Sequence, residues 1–264
     1  MKIRIFSDLH LDVNFRIGHE IPEVPQDDVL NIICGDISGD FAYANYWLKQ
    51  NIKNGIFIKG NHDKSYCSYE NRWPINQPDL ELLTLYPKTH TTTYLFNDYK
   101  IIDDVVFIGT TLWTDYTYGN GGNREYNMRL AQVRINDCRF GVYHDKGDNY
   151  TPLQTENCLQ EHERAVKFIE QTLSTFVSRK CVLITHHCMS PKCIDDQYKN
   201  SELNASFVSN MERFIARHPN LVLVCSGHMH TTKDFMVGNT RYIVNSYGYG
   251  SENPNYNNNL VVEV

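Results

Sequence analysis

Five short apolar runs, each ending in side chains able to bind a metal, constrain this chain more than anything else in it. Ile3-Arg-Ile-Phe6 runs into Ser7-Asp8-Leu-His10, and Val29-Leu-Asn-Ile-Ile-Cys34 runs into Gly35-Asp36. Gly55-Ile-Phe-Ile58 leads to Gly60-Asn61-His62-Asp63, Cys181-Val-Leu-Ile184 to Thr185-His186-His187, and Leu221-Val-Leu-Val-Cys225 to Ser226-Gly-His228-Met-His230. Short apolar runs bounded by turn residues read as buried strands. A lone Gly-His-x-His reads first as an ordinary turn with solvated histidines; its recurrence beside four similar strand ends makes it a metal-ligand candidate.

A chain of 264 residues with 41% hydrophobic content can bury one substantial core, so residues 1–264 are read as a single domain. The net charge of −6 argues against a strong non-specific grip on long nucleic acid, a local basic patch aside, and leaves small phosphate esters open as substrates. No apolar stretch approaches the roughly 18 residues of a membrane span, so no membrane partner is expected. The strand beginning at Ile3 leaves no room for a cleaved signal, and the expected location is cytoplasmic. Cys34, Cys181 and Cys225 lie inside the core strands, which predicts buried free thiols. Cys188 and Cys193 have no second pair at zinc-ribbon spacing.

Asp40 is placed to cap a helix in which Phe41, Ala44, Leu48 and Ile52 recur near the helical period. The opening third therefore reads β-loop-β-α-β, which implies parallel pairing with helices over the sheet. Proline-punctuated residues 64–90 read as a rim excursion with a short helix at Asp79–Leu85. Thr92–Phe96, Lys100–Ile102 and Val105–Ile108 predict a hairpin-rich second sheet. Residues 109–155 read as rim loops and insertions. Within them Trp113, Tyr116 and Tyr118 either wall a pocket for a nucleobase or aryl ester, or Trp113 packs in the core and the tyrosines sit half exposed. Arg124, Arg129, Arg134 and Arg139 recur every five residues, which spreads them around a helix axis and gives no phosphate-binding stripe. Leu159–Phe176 and Phe207–Ile215 read as helices, and Asp234–Val237, Thr240–Asn245 and Leu260–Val264 as closing strands.

The candidate donors are Asp8, His10, Asp36, Asn61, His186, His228 and His230. Carboxylates, imidazoles and an amide oxygen without clustered thiolates suit two divalent ions, manganese first, with iron or zinc also fitting. Seven donors are too many for one tetrahedral zinc and enough for two ions sharing a carboxylate. Two such ions about 3.5–4 Å apart can bind a hydroxide between them and clamp a phosphate for in-line attack.

In order and spacing, Asp8-x-His10, Gly35-Asp36, Gly60-Asn61-His62-Asp63, His186 and Gly227-His228-x-His230 resemble the motifs of the calcineurin-like metallophosphoesterases. The resemblance implies a four-layer α/β/β/α sandwich with mixed sheets, flanking helices and a site at the strands' carboxyl edge. It implies that Asp8, His10, Asp36 and His230 hold one metal, and that Asp36 bridges to a second held by Asn61, His186 and His228. His62 would then protonate the leaving oxygen or stabilise transition-state charge. His187 either contacts substrate or stacks beneath His186. His19, His90, His144, His162 and His218 fall outside every motif and read as surface or helix residues.

In the protein Ser/Thr phosphatases of this superfamily, Gly-Asp is followed by Asp-Arg-Gly. Here Ile37-Ser38-Gly39-Asp40 follows Asp36, without the arginine and with the acid one residue late. That argues against the phosphoprotein branch and leaves Asp40 or Asp63 to orient His62. The missing phosphate-gripping arginine and the His-x-His ending favour a phosphodiesterase on a small or nucleotide-derived diester. A phosphomonoesterase on the same site is the alternative, and a non-catalytic metal-binding scaffold a third.

Overall fold

A computed structural model describes residues 1–63, 91–144 and 150–264. The expected excursion over residues 64–90, with its helix at Asp79–Leu85, lies outside the described residues.

The chain opens with β1 (Lys2–Phe6), α1 (Leu11–Arg16), β2 (Leu30–Ile33), α2 (Phe41–Asn51) and β3 (Asn54–Ile58). β4 (Thr91–Leu95), β5 (Asp98–Ile102) and β6 (Val105–Thr110) follow, then α3 (Arg124–Arg134) and α4 (Asn136–Phe140). β7 (Val142–His144) and β8 (Tyr150–Pro152) precede the long helix α5 (Thr155–Thr175) and β9 (Lys180–Thr185). The last elements are α6 (Glu212–Ala216), β10 (Leu221–Ser226), β11 (Thr232–Val237), β12 (Thr240–Asn245) and β13 (Val261–Glu263).

Alternation along the strands sorts side chains onto the two faces of each sheet. The first sheet has the order β13-β1-β2-β3-β4 and the second β11-β12-β10-β9-β6-β5. Ile3, Ile5, Ile32, Ile56 and Ile58 from the first meet Phe107, Val182, Ile184, Cys225 and Ile243 from the second in one buried layer. Outward residues Phe6, Ile33 and Phe57 pack under α2 through Phe41, Ala44 and Leu48. On the far side Ile108, Leu183 and Val224 pack under α5 through Ala165, Ile169 and Leu173. The four-layer sandwich follows from these faces. Its described cysteines are all buried and free. Among the described residues no helix is long and apolar enough to cross a membrane.

Several local expectations change. β4 joins the first sheet, parallel to β3 with Ile58 opposite Leu95, so only β5 and β6 form the predicted hairpin of the second sheet. The helix expected at Phe207–Ile215 is reduced to α6. Residues 207–211 instead bond to a neighbouring segment, Ser209 N to Cys188 O at 3.0 Å and Met211 N to Met189 O at 2.9 Å. The described residues of 109–155 include α3, α4 and the β7-β8 pair. α1 was not anticipated; it starts directly after His10.

Candidate metal centre

β1, β2, β3 and β4 run parallel, as do β6, β9, β10 and β12, so their carboxyl ends gather at one edge. The two sheets meet there: Ser7 N donates to Asn245 O at 3.2 Å and Tyr247 N to Ser7 O at 3.0 Å. The loops leaving the strands are tied to one another, with Asp8 N on Gly35 O at 2.9 Å, His10 N on Asp36 O at 3.1 Å and Gly227 N on His186 O at 3.1 Å. These ties hold Asp8, His10, Asp36, His228 and His230 at positive φ, between 41° and 69°. Side-chain-bearing residues in that region store strain, and its clustering here marks a functional site. Two glycines let the loops close. A Cβ on Gly35, whose φ is +92°, would lie 2.8 Å from His186 Nδ1, and one on Gly60 would strike the Asp36 carboxylate.

Two groups of donors result. In the first, atoms of Asp8, His10 and His230 lie within 4.8 Å of one another; in the second, those of Asp36, His186 and His228 do. His10 Nε2 is 3.0 Å from His230 Nε2, and His230 Nε2 is 3.6 Å from Asp8 Oδ1. Asn61 joins the second group, its Oδ1 2.8 Å from His186 Nε2. Asp36 Oδ2 stands between the groups, 3.3 Å from His186 Nε2 and 3.8 Å from His10 Nε2. It is buried without a hydrogen-bond partner, as is His10 Nδ1. A buried carboxylate oxygen without a hydrogen bond is costly unless positive charge lies beside it; protonated His186 supplies that charge in the metal-free protein, and a cation on each side would supply it in the loaded one. The donor set therefore fits two divalent ions, and all seven residues named from sequence converge.

Charge within the cluster is balanced by protons. Burial raises Asp8, but the close contact with His230 and the nearby imidazolium charges bring its pKa to about 2. Burial likewise opposes ionisation of Asp36, and His186 and His62 overcome it, holding the carboxyl well below its usual range. Burial would strip His186 and His230 of their protons, yet Asp36 raises the first to about 9, and Asp8 with Glu252 raises the second to about 10. Burial takes His10 down to about 4. In metal-free protein, the stability contributed by His186 and His230 is full below the free-imidazole value of 6.5 and is lost as pH rises through about 9 and 10. His10, held neutral, acts oppositely below that value. The melting temperature of metal-stripped protein is thus expected to peak near neutrality and fall towards pH 10. A divalent cation requires unprotonated imidazoles and flattens that fall; calorimetry across pH with and without Mn²⁺ checks both.

His62 sits beside the cluster, its ring 5.0 Å from that of His10 and its backbone N donating to Asp36 Oδ1 at 2.7 Å. Neither acid considered as its orienter plays that part. Asp40 caps α2, accepting from Ala42 N at 2.8 Å and Tyr43 N at 3.3 Å. Asp63 turns inward to accept from the backbone N–H groups of Asp36, Ile37, Ser38 and Gly60, tying the second loop to the third. Burial, with the Asp36 charge, pushes Asp63 up to about 7.

His187 is buried. Its ring lies 4.3 Å from that of His228 and 4.9 Å from Trp113, and burial drops it to about 3. It also meets the ring of His186 edge-on at 5.4 Å. Trp113 and Tyr116 are core residues, clustered with Ala131, Leu153 and Cys158, so they build no substrate wall. Tyr249 approaches instead, 4.4 Å from His10 and 4.8 Å from His230. Two acids bordering the cluster were missed: Glu252 beside His230 and Asp137 beside Asn61. Both lie in polar stretches with no periodic or motif signal, and long-range folding alone brings them in.

The model of the calcineurin-like phosphoesterases matches residues 1–232. An uncharacterised protein of Acanthamoeba polyphaga mimivirus is 22% identical over 285 residues, which cover 99% of this chain and 96% of that protein. The crystal structure of the phosphopantetheinyl hydrolase from Mycobacterium tuberculosis is similar in fold, with a TM-score of 0.69 at 17% identity over 95% of this chain and 90% of that one. The donors at the shared edge and the extent of the family match lead to one conclusion: the chain belongs to the calcineurin-like phosphoesterase family.

Proposed function

We propose that this protein is a metal-dependent phosphodiesterase acting on a small or nucleotide-derived diester. The observation that carries the proposal is Asp36 Oδ2, buried without a hydrogen bond and facing imidazole nitrogens of both donor groups. Asp8, His10, Asp36 and His230 would hold one ion, and Asp36, Asn61, His186 and His228 the other, manganese being the first choice for these oxygen and nitrogen donors. Bound there, the ions would supply Lewis acidity to the phosphoryl oxygens and activate water for in-line attack.

The protein's own groups do the rest. The ties among the five loops fix the donors before substrate arrives, so little reorganisation accompanies the reaction. His62, beside the cluster and half-buried, is placed to give a proton to the departing oxygen or to stabilise charge on the phosphoryl group. Tyr249 offers an aromatic edge to an organic substituent.

Charge favours the diester. Among the described residues no arginine or lysine is hydrogen-bonded or ion-paired to any of the seven donors, whereas Glu252 and Asp137 border them. Among the described residues, a monoester dianion would bring one more negative charge to donors bordered by Glu252 and Asp137 and bonded to no side-chain cation of arginine or lysine. Mn²⁺-loaded protein is expected to turn over bis(p-nitrophenyl) phosphate faster than p-nitrophenyl phosphate. The reverse order would replace the diester proposal with a phosphomonoesterase. Natural diesters to follow include phosphopantetheine-bearing ones, since a fold relative is named for that group.

A further inference from the structure

We propose that Glu252 and Asp137 are positioning residues, each fixing one donor of a different half of the metal centre. This rests on the two-ion reading given above.

Glu252 follows β12 in a tight turn, where its Oε2 accepts from Tyr249 N at 3.0 Å and its own N donates to Tyr249 O at 3.1 Å. The same Oε2 lies 2.6 Å from His230 Nδ1. A carboxylate there keeps the proton on Nδ1, so Nε2 turns its lone pair towards Asp8 and His10. Without it the ring can rotate or take the other tautomer, and a nitrogen bearing hydrogen then faces the ion.

Asp137 does the same for an amide. Asn61 has two chemically different ends, and only its oxygen can face a cation. Asn61 Nδ2 donates to Asp137 Oδ2 at 2.9 Å, which commits Oδ1 to the side of His186 Nε2, at 2.8 Å. A carboxylate only accepts, so it selects one of the two amide orientations. Asp137 comes from α4, which joins the 109–155 insertion to the centre.

The two acids belong to separate halves, and that separation makes the proposal testable. The full chain is stripped of metal and titrated with Mn²⁺, following bound and free ion by electron paramagnetic resonance and heat by calorimetry. Wild type should take two ions. Glu252→Ala should weaken one of them roughly 10–100-fold and leave the other within about threefold, and Asp137→Ala should weaken the opposite one by a similar factor. Glu252→Gln, whose amide oxygen can still accept from Nδ1, should restore most of the loss. Asp137→Asn, which can pair with Asn61 in either orientation, should restore part of it. Melting curves of the metal-free variants separate these effects from misfolding; where an alanine variant does not fold, Glu252→Met or Asp137→Leu, which fills the space without accepting a hydrogen bond, takes its place. Two ions bound with wild-type affinity when neither position can accept a hydrogen bond would overturn the positioning role while leaving the two-ion reading intact. Equal weakening of both ions by either acid would overturn the one-acid-per-half assignment. Absence of metal binding in the wild type would remove both.

Discussion

Asp36→Asn is expected to lower diester turnover by about 10³-fold or more, the loss that follows from removing several kcal/mol of metal-borne stabilisation. The change is nearly isosteric, which makes it informative. Asp36 Oδ1 already accepts from His62 N at 2.7 Å, so an asparagine would keep its oxygen there and turn its NH₂ to the place of Oδ2. That puts a donor between His186 and His10, where a shared anionic oxygen is needed. It also leaves Asn61, His186 and His228 as a neutral donor set. Loss of one bound ion together with loss of turnover is the expected pair of results, and full activity with two ions bound would refute the bridging role. His186 should also lose its raised pKa, since the Asp36 charge sustains it against burial.

His62→Ala is the second large effect. Its imidazole belongs to neither donor group, and its backbone N–H, which alanine retains, makes the bond to Asp36. Two ions should therefore still bind while kcat falls about 10²–10⁴-fold, the usual worth of a placed general acid. The fall should be steeper for an alkyl or nucleoside leaving group than for p-nitrophenolate, which departs without a proton. An equal fall for both would assign His62 to charge stabilisation instead of proton donation, and unchanged kcat would remove it from the chemistry.

These effects trace to residues visible in the sequence, because strand and donor are adjacent in the chain. The run Leu221–Cys225 announces a strand and His228 and His230 follow within a turn, so pattern and chemistry are read in one window. Asp40 as the cap of α2 was legible for the same reason. What local pattern cannot carry is which distant segment a residue meets. β4 has the alternation of either sheet, and only its pairing with β3 assigns it. Phe207 and Met211 keep helical spacing, but their backbone is drawn into bonds with residues 188 and 189. Asp63 looked like a partner for its neighbour His62, yet four backbone N–H groups compete for its carboxylate and win. Glu252 and Asp137 carry no signal at all until 22 and 76 residues of separation are closed by folding.

The proposed chemistry rests on two divalent ions that share Asp36. Titrating metal-stripped protein with Mn²⁺ while recording electron paramagnetic resonance and diester hydrolysis together should give two ions per chain, a spin-coupled signal from ions close enough to share a carboxylate, and turnover that appears as the second site fills. A single isolated ion at saturation, or turnover that survives complete removal of metal, would contradict it.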